Sequence, residues 1–328
     1  MELPLTRVCL VIGRFHPLTL RCEALLKAKR EAGFDVKVCI IGANAPRSHR
    51  YPFSAEEQIA MIKAAGFEAI AIEEVLGRQA RHAQFVSIAP EADILLFDHA
   101  YGRFLQEDWS GGSVEAVAAP NLSEMEMAKN RLLELGTVEY VSEAVGQICD
   151  QSLSPEMRAP MWEEQCYISE YRKSWEAAPY PPVLVTADIL IQCVDKVLLI
   201  QRGGMPGKGL WALPGGFLDA DETLFEAAFR ELREETGLDL SYEVAKASLV
   251  RNRVFDDPSR SSRGRTVTHA FYFDLTGQTM NELLAGDDAA ALKWVSTEEA
   301  LTMRSQMFED HFLMLEYLLT DGEKRAID

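Results

Sequence analysis

The chain has 328 residues, 48% of them hydrophobic, with 33 Lys plus Arg against 51 Asp plus Glu and a formal net charge of −18. That length exceeds one average domain and suffices for two with separate cores, while the negative charge repels phosphate backbones and anionic headgroups and so argues against nucleic acid and membrane surfaces as partners. No apolar run approaches the roughly 20 residues of a membrane helix, "MELPLT" lacks the regions of a leader peptide, and the six cysteines show no paired spacing, so a cytoplasmic protein without disulfides or a zinc site is expected.

In chain order, "RVCLVIGRF" reads as a buried strand ending in glycine. "TLRCEALLKAKREAGF" follows as a helix closed by Gly33, and "DVKVCIIGA" as a second buried strand, giving a β-α-β unit. "SAEEQIAMIKAAGF" opens with Ser54 and Glu57 in capping-box spacing, and "EADILLFD" supplies a later strand. Strands alternating with helices predict a parallel sheet that takes ligand at its strand C-terminal edge. From about Leu122 to Trp175 the pattern is mostly helical, with Pro155 and Pro160 as breaks. The stretch "EAAPYPP", 176–182, packs three prolines into a stiff extended segment ahead of the strand-like "VLVTADILIQC". The domain boundary is placed there, with an N-terminal domain over 1–178 and a C-terminal domain over 179–328.

The second domain carries "GFLDADETLFEAAFRELREETGL" from Gly216. If 222–236 is a helix ended by Gly237, Leu224, Ala228 and Leu232 recur on one apolar face. Glu231, Glu234 and Glu235 then fall at i, i+3 and i+4, three carboxylates on one polar face. Such a cluster is destabilising unless a cation lies among them, and hard divalent cations take oxygen ligands. Arg230 is placed to pair with Glu234 one turn on.

Gly216, Glu222, Arg230, Glu231, Leu232, Glu234, Glu235, Gly237 and Leu238 fill every fixed position of the Nudix box, and the segment resembles that family without a departure. The resemblance implies an α/β/α sandwich, with Glu231, Glu234 and Glu235 as ligands of Mg²⁺ or Mn²⁺ and Glu222 and Arg230 supporting them. It also implies metal-assisted attack of water on a nucleoside diphosphate linked to another group. The general base is open among Asp287, Asp288 and Glu309. Upstream, "QRGGMPGKGLWALPGG" fails as a Walker loop, since Lys208 is followed by Gly209. It resembles the lead-in to a Nudix box, in which glycines ending at Gly215 and Gly216 let the chain approach substrate and Arg202 meets a phosphate.

Arg251, Arg253, Arg260, Arg263 and Arg265 are concentrated in "RNRVFDDPSRSSRGRTVTHAFYFDL". Such a cluster can pair with phosphates, Arg253 and Arg265 among it, while Phe255 offers a ring for a base. This stretch, Gly286 to Ala289 with Trp294, and "FEDH" at 308–311 resemble Nudix enzymes acting on ADP-ribose, which makes ADP-ribose the leading substrate.

At the other end, "GRFHPLTLRC" resembles the phosphate-binding turn G-x-F-x-P-x-[HT]-x-G-H of nicotinamide-mononucleotide adenylyltransferases. Gly13, Arg14, Phe15 and Thr19 are the candidate nucleotide contacts, within a Rossmann-like domain. Arg21 replaces the glycine and Cys22 the second histidine. "YPFSAEEQIAMI" resembles another segment of that family, with Gln58 where arginine is usual. "SLSPEMR", 152–158, is the nearest match to a second signature, I-S-x-T-x-x-R, and keeps only its final arginine. Over nearly its whole length the chain resembles bifunctional enzymes joining this adenylyltransferase to a C-terminal Nudix domain. With both phosphate signatures damaged, transfer is expected to be lost. The alternative is a bifunctional enzyme that also makes NAD from nicotinamide mononucleotide and ATP. A nicotinamide-responsive transcription regulator is a third reading, disfavoured because no basic winged helix follows the box. The expected partner is a small nucleotide, with no nucleic acid and no membrane, and a homodimer is left open.

Overall fold

A computed structural model of the chain describes residues 7–97, 105–136, 138–238, 240–276 and 291–320. They form two compact units, Met1–Glu163 and Glu164–Ala326. In the first unit the strands β1 (Val8–Gly13), β2 (Asp35–Ile41), β3 (Glu68–Ile72), β4 (Asp93–Leu96) and β5 (Val114–Ala116) lie in the order β3-β2-β1-β4-β5. Every pairing is parallel, as the alternation of strands and helices predicts. The order reverses between β1 and β4, which puts a crevice beyond their C-terminal ends. Gly13 closes β1 there, and a Cβ on it would lie 2.6 Å from Cβ of Phe97.

Helices α1 (Leu20–Glu31), α2 (Ala55–Ala64) and α3 (Arg78–Ile88) join these strands. The capping box at Ser54 and Glu57 forms as expected. α4 (Ala119–Leu135) and α5 (Glu143–Ser152) follow, then α6 (Pro155–Lys173), within which the two units divide. Pro155 starts α6, but Pro160 lies inside it and does not break it. Within the first two turns a proline forfeits only one backbone bond, to Glu156, and the remaining turns carry the helix through. The proline-rich stretch is not extended at its start: Glu176 and Ala178 donate back to Lys173 and Trp175, so turns continue past α6.

The second unit is built on a mixed sheet of seven strands: β6 (Val183–Cys193), β7 (Lys196–Gln201), β8 (Trp211–Ala212), β9 (Gly215–Phe217), β10 (Leu249–Phe255), β11 (Arg265–Asp274) and β12 (Ala291–Ser296). Its main path is β10-β11-β6-β7-β12, with β8 on β7 and β9 on β6. β6 and β11 pair in parallel over ten residues and the other pairings are antiparallel. Helix α7 (Leu224–Thr236) covers one face, where its Ala227, Ala228 and Leu232 meet Ala187, Ile189 and Ile191 of β6 and Phe271 and Phe273 of β11. The helices α8 (Tyr242–Ala247), α9 (Thr297–Ala300) and α10 (His311–Leu319) complete the unit. No described helix is long and apolar enough to cross a membrane.

Candidate active site

α7 begins two residues later than the sequence suggests. Thr223 is its N-cap, in a reciprocal capping box with Glu226, and Gly237 ends it at φ 66°. Glu222 therefore stands before the helix rather than in its first turn, and its carboxylate turns back to receive Arg230 at 2.6 and 3.0 Å. Arg230 Nη1 also donates to Glu231 at 2.7 Å and to Glu234 at 3.1 Å, so the expected i, i+4 pair is one arm of a four-residue cluster. Surrounded by three carboxylates, this guanidinium stays charged at all accessible pH.

Glu235 lies on the sheet side of that cluster and accepts the Gly215 N–H at 2.7 Å. Burial pushes its carboxyl up to about 8, with the charges of Glu231 and Asp188 adding to the rise and the Gly215 bond opposing it. Burial likewise raises Glu231, against the pull of Arg230. Asp188 of β6 is raised by complete burial, although Arg260 and Thr268 favour its charged form. The two glycines make this crowding possible. A Cβ on Gly216 would fall 2.2 Å from Glu231 Oε1, and one on Gly215, at φ 150°, 2.8 Å from Asp188 Oδ1.

Asp188 is the member that sequence reasoning missed. Its signal was a single carboxylate in the middle of the apolar strand "VLVTADILIQC". Among the described residues no three His, Cys, Asp or Glu side chains are arranged as a ready metal site. The donors nevertheless fit a hard divalent cation: all are carboxylate oxygens, two flank glycine backbone, and burial disfavours their charged forms until a cation offsets it. Glu234, the third predicted ligand, is the most exposed of them and rests on Arg230.

The arginines do not converge on one phosphate. Arg202 is largely buried, donates to the Pro206 carbonyl at 2.8 Å and lies 4.1 Å over the Phe308 ring. Burial lowers its pKa, and Glu309, Glu235 and Asp188 offset this, which places it among the carboxylates. Arg263 lies 4.9 Å over Phe217, the ring next to Gly216. Arg260 is withdrawn into a buried bidentate pair with Asp310. Arg265 ties down the β10 to β11 connection through the Asp256 carbonyl, and Arg253 covers Tyr317 at 4.0 Å.

Phe255 corrects the expectation of a stacking platform. It is 5% exposed, packs edge-on against Tyr317 and lies under the Arg253 guanidinium, so its faces are taken by the chain itself. Phe217, at 37% exposure, is the open ring beside the glycines. Glu309 accepts the Ser262 N–H at 2.8 Å from a left-handed backbone, φ 43°. Asp287 and Asp288 lie outside the described residues, as does the stretch Gly286 to Ala289.

In the first unit the predicted nucleotide contacts are bound up internally. Phe15 is fully buried, edge-on to Phe97, and its N–H donates to Gln58 Oε1 at 3.0 Å. Gln58, in place of the usual arginine, also donates to the Phe53 and Ser54 carbonyls. Thr19 caps α1 by accepting the Cys22 N–H, and its hydroxyl donates to the Cys22 sulfur. Burial raises that thiol to about 11, so it stays neutral. The Leu20 N–H, at the start of α1, donates to the Tyr140 carbonyl at 2.7 Å. Glu23 is buried in the same first turn and accepts from Ser142 and Lys27. Arg21 pairs with Glu124 at 2.9 Å. Arg14 bonds Glu74 at 3.2 Å and stacks over Tyr51. Arg158, the surviving residue of the second signature, donates to the Leu132 carbonyl at 3.2 Å and so caps the end of α4.

Three comparisons with known proteins bear on this geometry. A NUDIX domain model matches residues 183–318. The ADPR responsive transcriptional repressor NtrR of Acinetobacter baylyi is 33% identical over 164 residues, 48% of this chain and 60% of that protein. The ADP-ribose pyrophosphatase of Methanocaldococcus jannaschii is 42% identical over 105 residues, 32% of this chain and 57% of that protein. The chain thus spans less than two thirds of either relative. Among solved structures, a bifunctional NMN adenylyltransferase/ADP ribose pyrophosphatase from Francisella tularensis, complexed with AMP and Mn ion, superposes with a TM-score of 0.83 at 26% identity. That match covers 96% of this chain and 99% of the other.

Proposed function

The chain belongs to the Nudix family, and on that premise we propose that its second unit hydrolyses the pyrophosphate of a nucleoside diphosphate derivative, ADP-ribose, to AMP and ribose 5-phosphate. The observation that carries this reading is the placing of Glu231 and Glu235 of α7 against Gly216 and Gly215, with Asp188 behind them on the other face of β6 and all three carboxyl groups raised by burial. Groups so placed favour a divalent cation and the substrate it accompanies. The choice of ADP-ribose is supported by two similar proteins whose names carry it.

In this reading Glu231, Glu234 and Glu235 hold Mg²⁺ or Mn²⁺, which when bound neutralises the pyrophosphate and makes water a better nucleophile. Arg230 keeps Glu222, Glu231 and Glu234 together and prevents their repulsion from unwinding the end of α7. Gly215 and Gly216 allow the phosphates to approach the sheet backbone. Phe217 and Arg263 offer an exposed aromatic and cationic surface beside them.

The first unit is read as a scaffold that does not transfer adenylyl groups. An anion at a helix N-terminus needs open N–H groups, and at α1 Leu20 and Cys22 donate theirs to the chain itself, with the Glu23 carboxylate buried in the same turn. The test is to incubate the full chain and Mg²⁺ with a panel of nucleoside diphosphate derivatives and resolve the products. Dominant cleavage of ADP-ribose is the expected outcome. Equal inertness toward the whole panel would overturn the reading.

A further inference from the structure

A second set of buried polar side chains lies behind the carboxylate cluster. Because β6 alternates, Ala187, Ile189 and Ile191 join the core under α7 while Asp188 faces the other way. There its Oδ2 accepts from Thr268 Oγ at 2.8 Å, and that oxygen in turn accepts from Arg260 Nη1 at 2.9 Å. Arg260 completes its fork on Asp310 at 2.8 and 2.9 Å. The next residue, His311, opens α10 and is 6% exposed. Its Nδ1 accepts the Leu213 N–H at 3.1 Å, which puts the ring proton on Nε2, 3.9 Å from Asp188 Oδ1.

These links end on one three-residue strip. The Leu213 N–H goes to His311. The Pro214 carbonyl accepts the Ile189 N–H of β6 at 2.8 Å, and the Gly215 N–H goes to Glu235 at 2.7 Å. Proline supplies no donor, so the strip has two N–H groups, one held by His311 and one holding Glu235. The rigid Pro214 ring between them couples their orientations.

We propose that His311 is a positioning residue for the hydrolytic site: seated on the Asp310, Arg260, Thr268 and Asp188 network, it fixes the Leu213 peptide and, through Pro214, the direction in which Gly215 holds Glu235. This deepens the functional reading above and rests on it. The hydrogen bonds of His311 and Glu235 go to different residues of the strip, Leu213 and Gly215, and a role for His311 in packing alone predicts that any neutral side chain of similar volume will serve.

Three substitutions in the full chain separate the two. Asn places its amide oxygen where Nδ1 stands and keeps the acceptor for Leu213, Gln carries its polar end beyond that point, and Leu has none. Two readouts are used: amide hydrogen exchange at Leu213 and Gly215, and kcat against KM for ADP-ribose with Mg²⁺. His311→Leu and His311→Gln are expected to speed exchange of both amides about tenfold and to lower kcat about tenfold with KM nearly unchanged, while His311→Asn stays close to wild type. If His311→Leu fails to fold, the contrast between Asn and Gln decides. Equal behaviour of Asn and Gln, or a folded Leu variant with unaltered exchange and kcat, overturns the proposal. Exchange is read without substrate, so a wild-type chain inert toward ADP-ribose sinks the functional reading and leaves the exchange pattern to judge this one.

Discussion

Each unit contains a glycine-bearing turn followed by a helix capped by threonine, and the two differ in what surrounds the turn. Between Gly13 and Cys22 the backbone donors of Phe15, Leu20 and Cys22 are taken by the chain itself, by Gln58, Tyr140 and Thr19. From Gly215 to Thr223 the Gly215, Asp219 and Thr223 N–H groups are also taken, by Glu235, Glu222 and Glu226, but here the glycines let Glu231 and Glu235 crowd onto the strip, where burial raises both carboxyls. A fold can keep the shape of a binding turn after its donors have been turned inward. Chemistry is marked by the groups that folding leaves unbalanced.

The strongest way to break this contrast is Glu235→Gln. The amide keeps the volume and the Gly215 bond but removes the charge, and should cost about a hundredfold in kcat for ADP-ribose, roughly 3 kcal/mol in the transition state. Glu234→Gln, on the exposed edge of the cluster, should cost less, about tenfold. Retention of full turnover in both would remove the carboxylates from the mechanism.

On the other side, Arg21→Gly with Cys22→His restores the first signature on paper. It should leave NAD formation from nicotinamide mononucleotide and ATP below about 1% of the hydrolysis rate, because the Leu20 N–H remains on Tyr140. A rise toward the hydrolysis rate would show that the turn was closed by those two side chains alone.

Arg260→Met tests the buried network under the second turn. It leaves Asp310 buried and unpaired, and should cost about 3 kcal/mol of stability by urea unfolding. An unchanged midpoint would mean that the pair is dispensable.

The pH dependence of stability sharpens the same point from the side of the carboxylates. The Glu235 carboxyl is raised from 4.5 to about 8 in the folded chain, so between those values the folded state holds a proton that the unfolded state releases. Stability in the presence of a chelator should therefore fall as pH rises from about 5 to about 8, and Glu235→Gln should flatten that slope. A slope identical in the variant would assign the dependence elsewhere.

The smallest effect concerns where the second unit starts. A fragment from Pro181 lacks Glu164, which accepts the Gly207 N–H at 2.6 Å, and Arg172, which donates to the Ser262 carbonyl at 2.8 Å. It should be less stable than one from Pro155 by about 1 to 2 kcal/mol. Equal melting points would place the boundary at the proline stretch.

Much of this was legible in the sequence, for identifiable reasons. The β-α-β start, the box at Ser54 and the end of α7 at Gly237 follow from local chemistry and appear where expected. Pro160 misled because proline near a helix start removes little. Phe255 misled because motif position says nothing about burial. Asp188 went unread because, apart from Thr186 two residues before it, the groups that hold it, Thr268 with Arg260 behind it and His311, stand far along the chain. The closure of the α1 N-terminus was equally hidden, since it depends on the backbone carbonyl of Tyr140, which no side-chain pattern encodes.

The central claim, one working turn and one closed turn in the same chain, is tested most directly by phosphorus NMR of a single mixture of the full chain, Mg²⁺, ADP-ribose, nicotinamide mononucleotide and ATP. Adenylyl transfer releases inorganic pyrophosphate from ATP whether or not its dinucleotide product survives, so the two activities report separately. The account predicts that ADP-ribose is converted to AMP and ribose 5-phosphate while the nicotinamide mononucleotide and ATP resonances persist. Persistence of ADP-ribose, or release of pyrophosphate at a rate comparable to the hydrolysis, would contradict it.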